Sequence, residues 1–221
     1  MKLITEGSRL ILTDGELTHY FDLDYIWQQW KNDAHVKKSD LYKMISRTRE
    51  KGQRIEDVRV LDLTLGGGKD ALMFLSWGFQ VISLERNEII FKLMENALAL
   101  AQNSEELKSR WTIVKTEASD YLKNTKEKFD YIYFDPMFDE TEVNKKKSLP
   151  KKEMQFFRKL IKESSDSVSN KDEELKLLNL ARDKVIKRVI VKRFSRQSVI
   201  DKNVCAQYSG KTVRYDIYLK N

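Results

Sequence analysis

The 221-residue sequence predicts an α/β fold with a mostly parallel sheet that ends in an antiparallel hairpin. From residue 58 onward, apolar strand-like runs alternate with helix-like segments, which is typical of parallel strands joined by right-handed crossovers. The last two strand-like runs, 203–210 and 212–219, leave no room for a helix between them. They must therefore pair with each other as an antiparallel hairpin attached to the parallel strands.

The composition is that of a globular chain with an excess of positive charge. Hydrophobic residues make up 41% of the chain, and the formal net charge is +7. No apolar run approaches the roughly 20 residues of a membrane-spanning helix, and the N-terminus lacks the apolar core of a signal peptide. The single cysteine, Cys205, fits a reducing cytoplasm, and His19 and His35 lack partners at zinc-ligand spacing. We therefore expect a cytoplasmic protein without a membrane segment or a metal, with nucleic acid as the first candidate partner.

The N-terminal part of the chain predicts a small extension. Two strand-like runs flank Asp14-Gly15, a strong signal for a hairpin with a two-residue turn. Further on, Ser39 can cap a short helix that has one apolar face. We therefore expect a β-hairpin and helix extension over residues 1–54 and a main domain over residues 55–221.

The main domain is predicted element by element from its apolar patterns. Gly78 ends its first helix, and Asn87 can cap its second. The predicted strands cover 58–63, 79–85, 111–116, 129–135, 187–194, 203–210 and 212–219, and the first two helices cover 69–77 and 87–102.

Three consecutive glycines, Gly66 to Gly68, lie between the first parallel strand and its helix. Ligands of open α/β sheets bind at this edge, beyond the carboxyl ends of the strands. Because glycine has no Cβ, the backbone can turn sharply there and approach a ligand closely. The pattern D-x-T-x-G-G-G is neither G-x-G-x-x-G nor a P-loop. A turn that only packs the helix against the strand is the alternative interpretation.

The next strand ends in Glu85, where a carboxylate can accept hydrogen bonds from both ribose hydroxyls of an adenosine group. NAD sites and S-adenosylmethionine (SAM) sites share this arrangement, so Glu85 by itself leaves both cofactors open. Glu85 could also serve the start of the following helix, where the helix dipole favours an anion.

The fourth strand runs into Asp135-Pro136-Met137-Phe138, which resembles the [DNS]-P-P-[YFW] signature of amino-directed methyltransferases. The Asp135 side chain and the Pro136 carbonyl can accept the hydrogens of a conjugated amine and hold its nitrogen against an electrophilic methyl group. Phe138 would stack on a base that has left its helix. Asp135, Pro136 and Phe138 are therefore the predicted catalytic residues. An ordinary Asp-Pro turn with Phe138 buried is the alternative.

With these motifs in place, the sequence resembles the RsmJ family of small-subunit ribosomal RNA guanine-N2 methyltransferases, which use SAM. The matching stretches are DLTLGGGKDA, LERN, EASDYL, YFDPMF, KKEMQFFRKL, KRVIVKRF and TVRYDIYL. The resemblance implies a class I SAM-dependent methyltransferase fold, which is Rossmann-like. It also implies SAM as methyl donor, S-adenosylhomocysteine as product, and 16S ribosomal RNA or the small ribosomal subunit as partner.

The family's cofactor contacts can be carried over residue by residue. Lys69 stands where the family has arginine, which keeps the charge but loses the bidentate fork. Asp120 stands where the family has a second serine. A glycine- and arginine-rich stretch of many members is replaced here by WKNDAHVKKSDLYK. Together with Gly66 of the glycine loop, the predicted cofactor-binding residues are Gly66, Lys69, Asp70, Glu85, Arg86, Ser119, Asp120 and Asp135.

Basic residues near the predicted site are candidates for phosphate contacts, which give affinity without sequence information. They are Lys145, Lys146, Lys147, Lys151, Lys152, Lys192 and Arg193. One alternative is methyl transfer to another planar amine, either an adenine N6 of DNA or RNA or a protein side chain. A second is a catalytically silent RNA-binding or assembly protein with the same fold, against which the intact Asp135 and Glu85 argue.

Overall fold

The computed structural model describes residues 1–33, 36–136, 160 and 171–221. Two single turns of 3₁₀ helix, Val36–Lys38 and Ile55–Asp57, lie within these ranges. Several residues with predicted roles fall outside the described residues, so those roles stay predictions. They are His35, Phe138, Lys145, Lys146, Lys147, Lys151 and Lys152.

Three short strands at the N-terminus form an antiparallel sheet that contains the predicted hairpin. Its turn is longer than predicted, because Thr13 pairs with Thr18 and leaves four residues in the loop. The Asp14 carboxylate stabilises this longer turn by accepting the backbone N–H groups of Glu16 and Leu17. A further strand precedes the hairpin and was not predicted. The strands are β1 (Lys2–Glu6), β2 (Arg9–Thr13) and β3 (Thr18–His19), in the order β1-β2-β3.

The central sheet has the predicted mixed architecture. It contains β4 (Arg59–Asp62), β5 (Gln80–Glu85), β6 (Trp111–Lys115), β7 (Phe129–Phe134), β8 (Val185–Phe194), β9 (Ala206–Ser209) and β10 (Val213–Leu219), in the order β6-β5-β4-β7-β8-β10-β9. The strands from β4 to β8 pair in parallel, whereas β10 is antiparallel to both of its neighbours, β8 and β9. The last strand of the chain is therefore inserted between β8 and β9.

Helices cover both faces of the central sheet, and every residue of β7 is buried. Tyr131 and Tyr133 join one hydrophobic cluster, whereas Ile132 and Phe134 join the other. This alternation is expected for a strand that lies between two layers of helices. The helices are α1 (Leu23–Asn32), α2 (Asp40–Thr48), α3 (Lys69–Ser76), α4 (Glu88–Leu100), α5 (Ser104–Arg110), α6 (Ala118–Asn124) and α7 (Lys171–Lys184). None of the helices in the described ranges combines the length and the apolar character that crossing a bilayer requires.

Two predicted helix caps are confirmed. The Ser39 side chain accepts the Tyr42 N–H at the start of α2, and the Asn87 side chain accepts the N–H groups of Ile89 and Ile90 at the start of α4. These oxygens satisfy backbone donors that have no partner within their helices, which defines where each helix begins.

The N-terminal elements pack against the central sheet. Trp27 of α1 belongs to the same hydrophobic cluster as the strands β4, β5 and β7. The hydroxyl groups of Thr48 and Tyr131 are 2.7 Å apart, and Lys187 Nζ lies 2.6 Å from Gln53 Oε1. The division of the chain between residues 54 and 55 stays a prediction.

Gly68 is the glycine of the loop that is needed for packing. It precedes α3 with a φ of +70°, a conformation that L side chains rarely adopt. A Cβ added there would lie 2.9 Å from Met94 Cε and 3.1 Å from Trp111 Cη2. The backbone conformation therefore favours glycine, and a Cβ would press on two buried side chains, the flexible end of Met94 and the ring of Trp111.

Gly68→Ala should lower the free energy of unfolding by about 1–3 kcal/mol more than Gly52→Ala does. Gly52 is a matched control, because its φ is +87° and a Cβ there would meet nothing within 4 Å. The control therefore carries the backbone penalty without the steric one. Urea unfolding of both variants measures the difference, and equal losses of stability would contradict the packing role of Gly68.

Candidate functional site

The carboxyl ends of the parallel strands surround a cavity of about 1250 Å³. The cavity brings together most of the residues that the sequence predicted for cofactor binding and catalysis. Those that line it are Gly66, Lys69, Asp70, Glu85, Arg86, Ser119, Asp135 and Pro136. Asp120 is the exception among the described predictions: its side chain is exposed and lies 3.7 Å from Lys123 Nζ. Asp120 does not line the cavity, and its cofactor contact stays a prediction.

Arg86 and Ser119 lie on the rim of the cavity. The Arg86 guanidinium is 3.7 Å from the Glu117 carboxylate, and the Ser119 hydroxyl is 3.4 Å from Asp120 Oδ1. The first contact joins the segments that follow β5 and β6, whereas the second lies within the first turn of α6. The rim therefore offers hydrogen-bonding groups on the side of the cavity opposite Asp135.

A buried carboxylate organises the start of the glycine loop. Asp62 is 1% exposed, and its two oxygens accept the Thr64 N–H and the Ser83 hydroxyl, each over 3.0 Å. Ser83 Oγ in turn accepts the Trp111 indole N–H over 3.0 Å. The Thr64 hydroxyl accepts the Asp135 N–H over 2.9 Å. Asp62 and Thr64 thus connect the glycine loop to the Asp-Pro loop.

Sequence reasoning did not select Asp62 or Thr64 as functional residues, although both stand in the D-x-T pattern before the glycines. Burial raises the pKa of Asp62 to about 7, against the lowering effect of its hydrogen bonds. Ionising a carboxyl group that is so deeply buried costs folding free energy, which fits a residue whose role is to shape the site.

Glu85 is 8% exposed and joins the glycine loop to the start of α4. Its Oε1 accepts the Asn87 N–H over 2.8 Å, and its Oε2 accepts the Gly66 N–H over 3.2 Å. Burial raises the pKa of Glu85 to about 7, although these backbone donors lower it. Each carboxylate oxygen has further lone-pair capacity, so Glu85 can also accept hydrogen bonds from a ligand in the cavity. Glu85 therefore stabilises the start of α4 and also faces the cavity.

An ion cluster lies at the end of β7. Lys192 Nζ is 2.9 Å from Asp135 Oδ2 and 2.8 Å from Asp70 Oδ2. The Tyr133 hydroxyl donates to Asp70 Oδ2 over 2.9 Å. Asp70, at the N-terminal end of α3, and Lys192, near the end of β8, are thus joined directly to the predicted catalytic aspartate.

The neighbours of Asp135 affect its ionisation in opposite directions. Burial raises the pKa of Asp135 to about 6, Lys192 lowers this pKa, and Asp70 raises it. Burial by itself would lower the pKa of Lys192, but the carboxylates of Asp70 and Asp135 raise that pKa well above its ordinary value. Burial, with Asp70 as the next cause, raises the pKa of Tyr133 well above its usual range. At neutral pH the site therefore holds an ammonium between two carboxylates, beside a neutral phenol.

Two residues predicted to contact RNA phosphates line the same cavity and form ion pairs within the chain. Lys192 belongs to the ion cluster with Asp70 and Asp135. Arg193 is 1% exposed, and its guanidinium lies 2.8 Å from the Glu174 carboxylate. Each cation is therefore paired with carboxylates of its own chain. The phosphate contacts of Lys192 and Arg193 stay predictions.

Acidic side chains at the site do not form a metal centre. Among the residues that the structure describes, no group of three or more His, Cys, Asp or Glu side chains is arranged to hold a metal ion. Asp62, Glu85 and Asp135 instead contact backbone N–H groups, a hydroxyl and an ammonium.

Comparison with known proteins places the chain in a family. The family model SAM_MT, described as "Putative SAM-dependent methyltransferase", matches residues 2–220. A Bdellovibrio bacteriovorus protein named ribosomal RNA small subunit methyltransferase J is 36% identical over 97% of this chain and 76% of the relative. The protein of that name from Coxiella burnetii is 36% identical over 72% of this chain. That match covers 60% of the Coxiella protein, so this chain spans less than two thirds of that relative.

Solved structures share the fold. A SAM-dependent methyltransferase from Neisseria gonorrhoeae matches with a TM-score of 0.71, over 99% of this chain and 82% of that chain, at 22% identity. A methylase from Haemophilus influenzae matches with a TM-score of 0.53, over 84% of this chain and 96% of that chain, at 16% identity. These structural similarities and the strand order of the sheet confirm the predicted class I methyltransferase fold.

Asp62→Asn should weaken the pH dependence of stability. Because its pKa is about 7 in the folded protein, folded Asp62 keeps its proton at pH values where the unfolded chain has released it. Raising the pH from about 4 to about 8 therefore destabilises the wild-type protein, by up to about 4 kcal/mol from this group. Glu85 adds a second loss of stability in the same direction.

Urea unfolding at a series of pH values measures this effect. The loss of stability on raising the pH should be clearly smaller in Asp62→Asn than in the wild-type protein. The exposed Asp57 provides the control, since Asp57→Asn should keep the wild-type loss. Parallel pH dependences for Asp62→Asn and wild type would show that the buried carboxylate is not the titrating group.

Proposed function

This chain belongs to the SAM_MT family of SAM-dependent methyltransferases, and we propose that it methylates the exocyclic N2 amine of a guanine in small-subunit (16S) ribosomal RNA. The observation that carries the proposal is the place of Asp135 at the wall of the cavity, beside the glycine loop and Glu85. The names of the relatives from Bdellovibrio and Coxiella support ribosomal RNA as the substrate. The resemblance to the RsmJ family supports the guanine N2 atom.

The residues of the cavity fit SAM. The glycine loop leaves space for close approach, since a Cβ added at Gly66 would meet only one atom within 4 Å, the Thr64 carbonyl oxygen at 3.9 Å. Glu85 would accept the ribose hydroxyls, and Lys69 and Arg86 would interact with the polar groups of the cofactor. When bound, SAM supplies an electrophilic methyl group, whose bond to sulfur breaks as the amine nitrogen forms its new bond, leaving S-adenosylhomocysteine. Gly66, Lys69, Asp70, Glu85, Arg86, Ser119 and Asp135 are the residues that we assign to cofactor binding.

Asp135 and Pro136 would hold the amine. The amine lone pair is delocalised into the base ring, so the nitrogen is a weak nucleophile until its hydrogens are held by acceptors. The Asp135 carboxylate and the Pro136 carbonyl are acceptors at the cavity wall, and their fixed positions supply the orientation that methyl transfer needs. As the nitrogen forms its new bond it must lose one proton, and Asp135 is placed to receive it.

The partner and the cellular site follow from this substrate. Ribosomal RNA or the small ribosomal subunit would be the partner, and the cytoplasm would be the place of reaction. The lysines Lys145, Lys146, Lys147, Lys151 and Lys152 remain the predicted phosphate contacts. They lie in the chain between Pro136 and Glu173, both of which line the cavity.

Incubation with tritiated SAM and ribosomal RNA or small subunits from a strain that lacks this protein tests the proposal. Nucleoside analysis of the product should recover the label as N2-methylguanosine. Label on adenine would keep methyl transfer and overturn guanine as the target. Label on protein, or no label on RNA despite SAM binding, would overturn RNA as the substrate.

Asp135→Ala should reduce methyl transfer by about 10²–10³-fold, as expected when a group that holds the reacting atoms is removed. Asp57→Ala is the control, because Asp57 pairs with Arg54 in an exposed ion pair and does not line the cavity. Turnover with the RNA substrate and circular dichroism should be measured for both variants. An Asp135→Ala protein that is folded and fully active would remove Asp135 from the reaction.

A further inference from the structure

We propose that Lys192 is a positioning residue, which orients Asp135 for the substrate amine and holds it as a carboxylate by sharing one ammonium between Asp135 and Asp70. This inference rests on the proposed function, because it assigns Asp135 the role of amine acceptor. It gives Lys192, a residue of β8, a role other than the predicted phosphate contact, in which Lys192 acts through another side chain.

The geometry holds Asp135 at two points. Its backbone N–H donates to the Thr64 hydroxyl over 2.9 Å, and its Oδ2 accepts from Lys192 Nζ over 2.9 Å. With the backbone and one oxygen held, the carboxylate has a defined rotation, and Oδ1 is the oxygen left to accept an amine hydrogen. The side chain of Asp135 is 28% exposed, so this oxygen can be reached from the cavity.

Lys192 is itself held in place. Its Nζ lies 2.8 Å from Asp70 Oδ2, and Asp70 in turn accepts the Tyr133 hydroxyl. The ammonium is thus fixed from α3 as well as from the loop after β7. A lysine that served only as a flexible surface charge would not need two carboxylates and a phenol arranged around it.

The charges around Asp135 require a cation. The groups that influence its ionisation or lie in the same cluster are Lys192 on β8, Asp70 on α3, Tyr133 on β7, Tyr215 on β10 and Asp62 on β4. Lys192 alone among these carries a positive charge. Without it, Asp135 would ionise beside a second carboxylate in a partly buried place, and both effects favour the protonated acid. A protonated Asp135 could no longer accept the amine hydrogens at both oxygens.

Lys192→Met tests this role, because methionine keeps much of the side-chain length and removes the charge. The pKa of Asp135 can be followed by carbon NMR of labelled aspartate side chains in the protein without cofactor, with the signal assigned from Asp135→Asn. In the wild type the pKa should be about 6. Loss of an adjacent cation should raise it by about 1–3 units.

Three further variants make the test specific. Lys192→Arg keeps the charge and should leave the Asp135 pKa near the wild-type value. Asp70→Asn should lower that pKa, because the Asp70 charge raises it. Lys43→Met removes an exposed cation that pairs with Asp40 and does not line the cavity, so it should have no effect. A purely structural role for Lys192 would not give shifts of opposite sign for Lys192→Met and Asp70→Asn.

The pH dependence of methyl transfer provides the second readout. Activity that needs ionised Asp135 is present above its pKa and is lost as the pH falls through it. The acid limb of kcat should therefore move to higher pH in Lys192→Met, with activity recovering toward alkaline pH. A uniform loss at every pH, or an unchanged Asp135 pKa, would overturn the inference. The NMR titration needs no substrate, so it still decides the role of Lys192 if ribosomal RNA proves not to be methylated.

Discussion

The parallel pairing of β4 with both β5 and β7 brings the ends of three strands to one edge of the sheet. The chain leaves these ends through the glycine loop, through Glu85 and through Asp135, so groups far apart in sequence face one cavity. Hydrogen bonds of Asp62 and Thr64 hold these loops in place, because they join the loop after β4 to the loop after β7. The site therefore depends on the register of β4 more than on any single exposed side chain.

The same arrangement carries an energetic cost. Burial raises the pKa values of Asp62, Glu85 and Asp135, so ionising each of these carboxylates works against folding. Different partners reduce the cost of ionising each carboxylate. They are a backbone N–H and a hydroxyl for Asp62, two backbone N–H groups for Glu85, and the Lys192 ammonium for Asp135. Of these three carboxylates, Asp135 is the one offset by a charged side chain. That difference fits its proposed role, since the fixed ammonium compensates the charge that Asp135 must carry to accept the amine hydrogens.

Local patterns predicted most of the fold and part of the site. Alternating strands and helices, the turn at Asp14, the cap at Asn87 and the glycine loop each depend on neighbouring residues, and such features can be read from sequence. The ion pairs of Lys192 and Arg193 could not be predicted from local patterns. Their partners Asp70 and Glu174 lie 122 and 19 residues away in the chain, and only the folded sheet brings them close. The strand β1 was missed because it gains its partner only in the N-terminal sheet.

An ionised Asp135 also bears on the choice of base. A carboxylate only accepts hydrogen bonds, so it favours an edge that presents hydrogens. Guanine places its N1–H beside the N2 amine, and the two donors can face one carboxylate together. Adenine places the N1 acceptor beside its N6 amine, and that lone pair would face the carboxylate unfavourably. Because Lys192 keeps Asp135 charged and leaves Oδ1 open to the base, the ion cluster would favour the guanine amine of the proposed reaction through the ionisation state of one side chain.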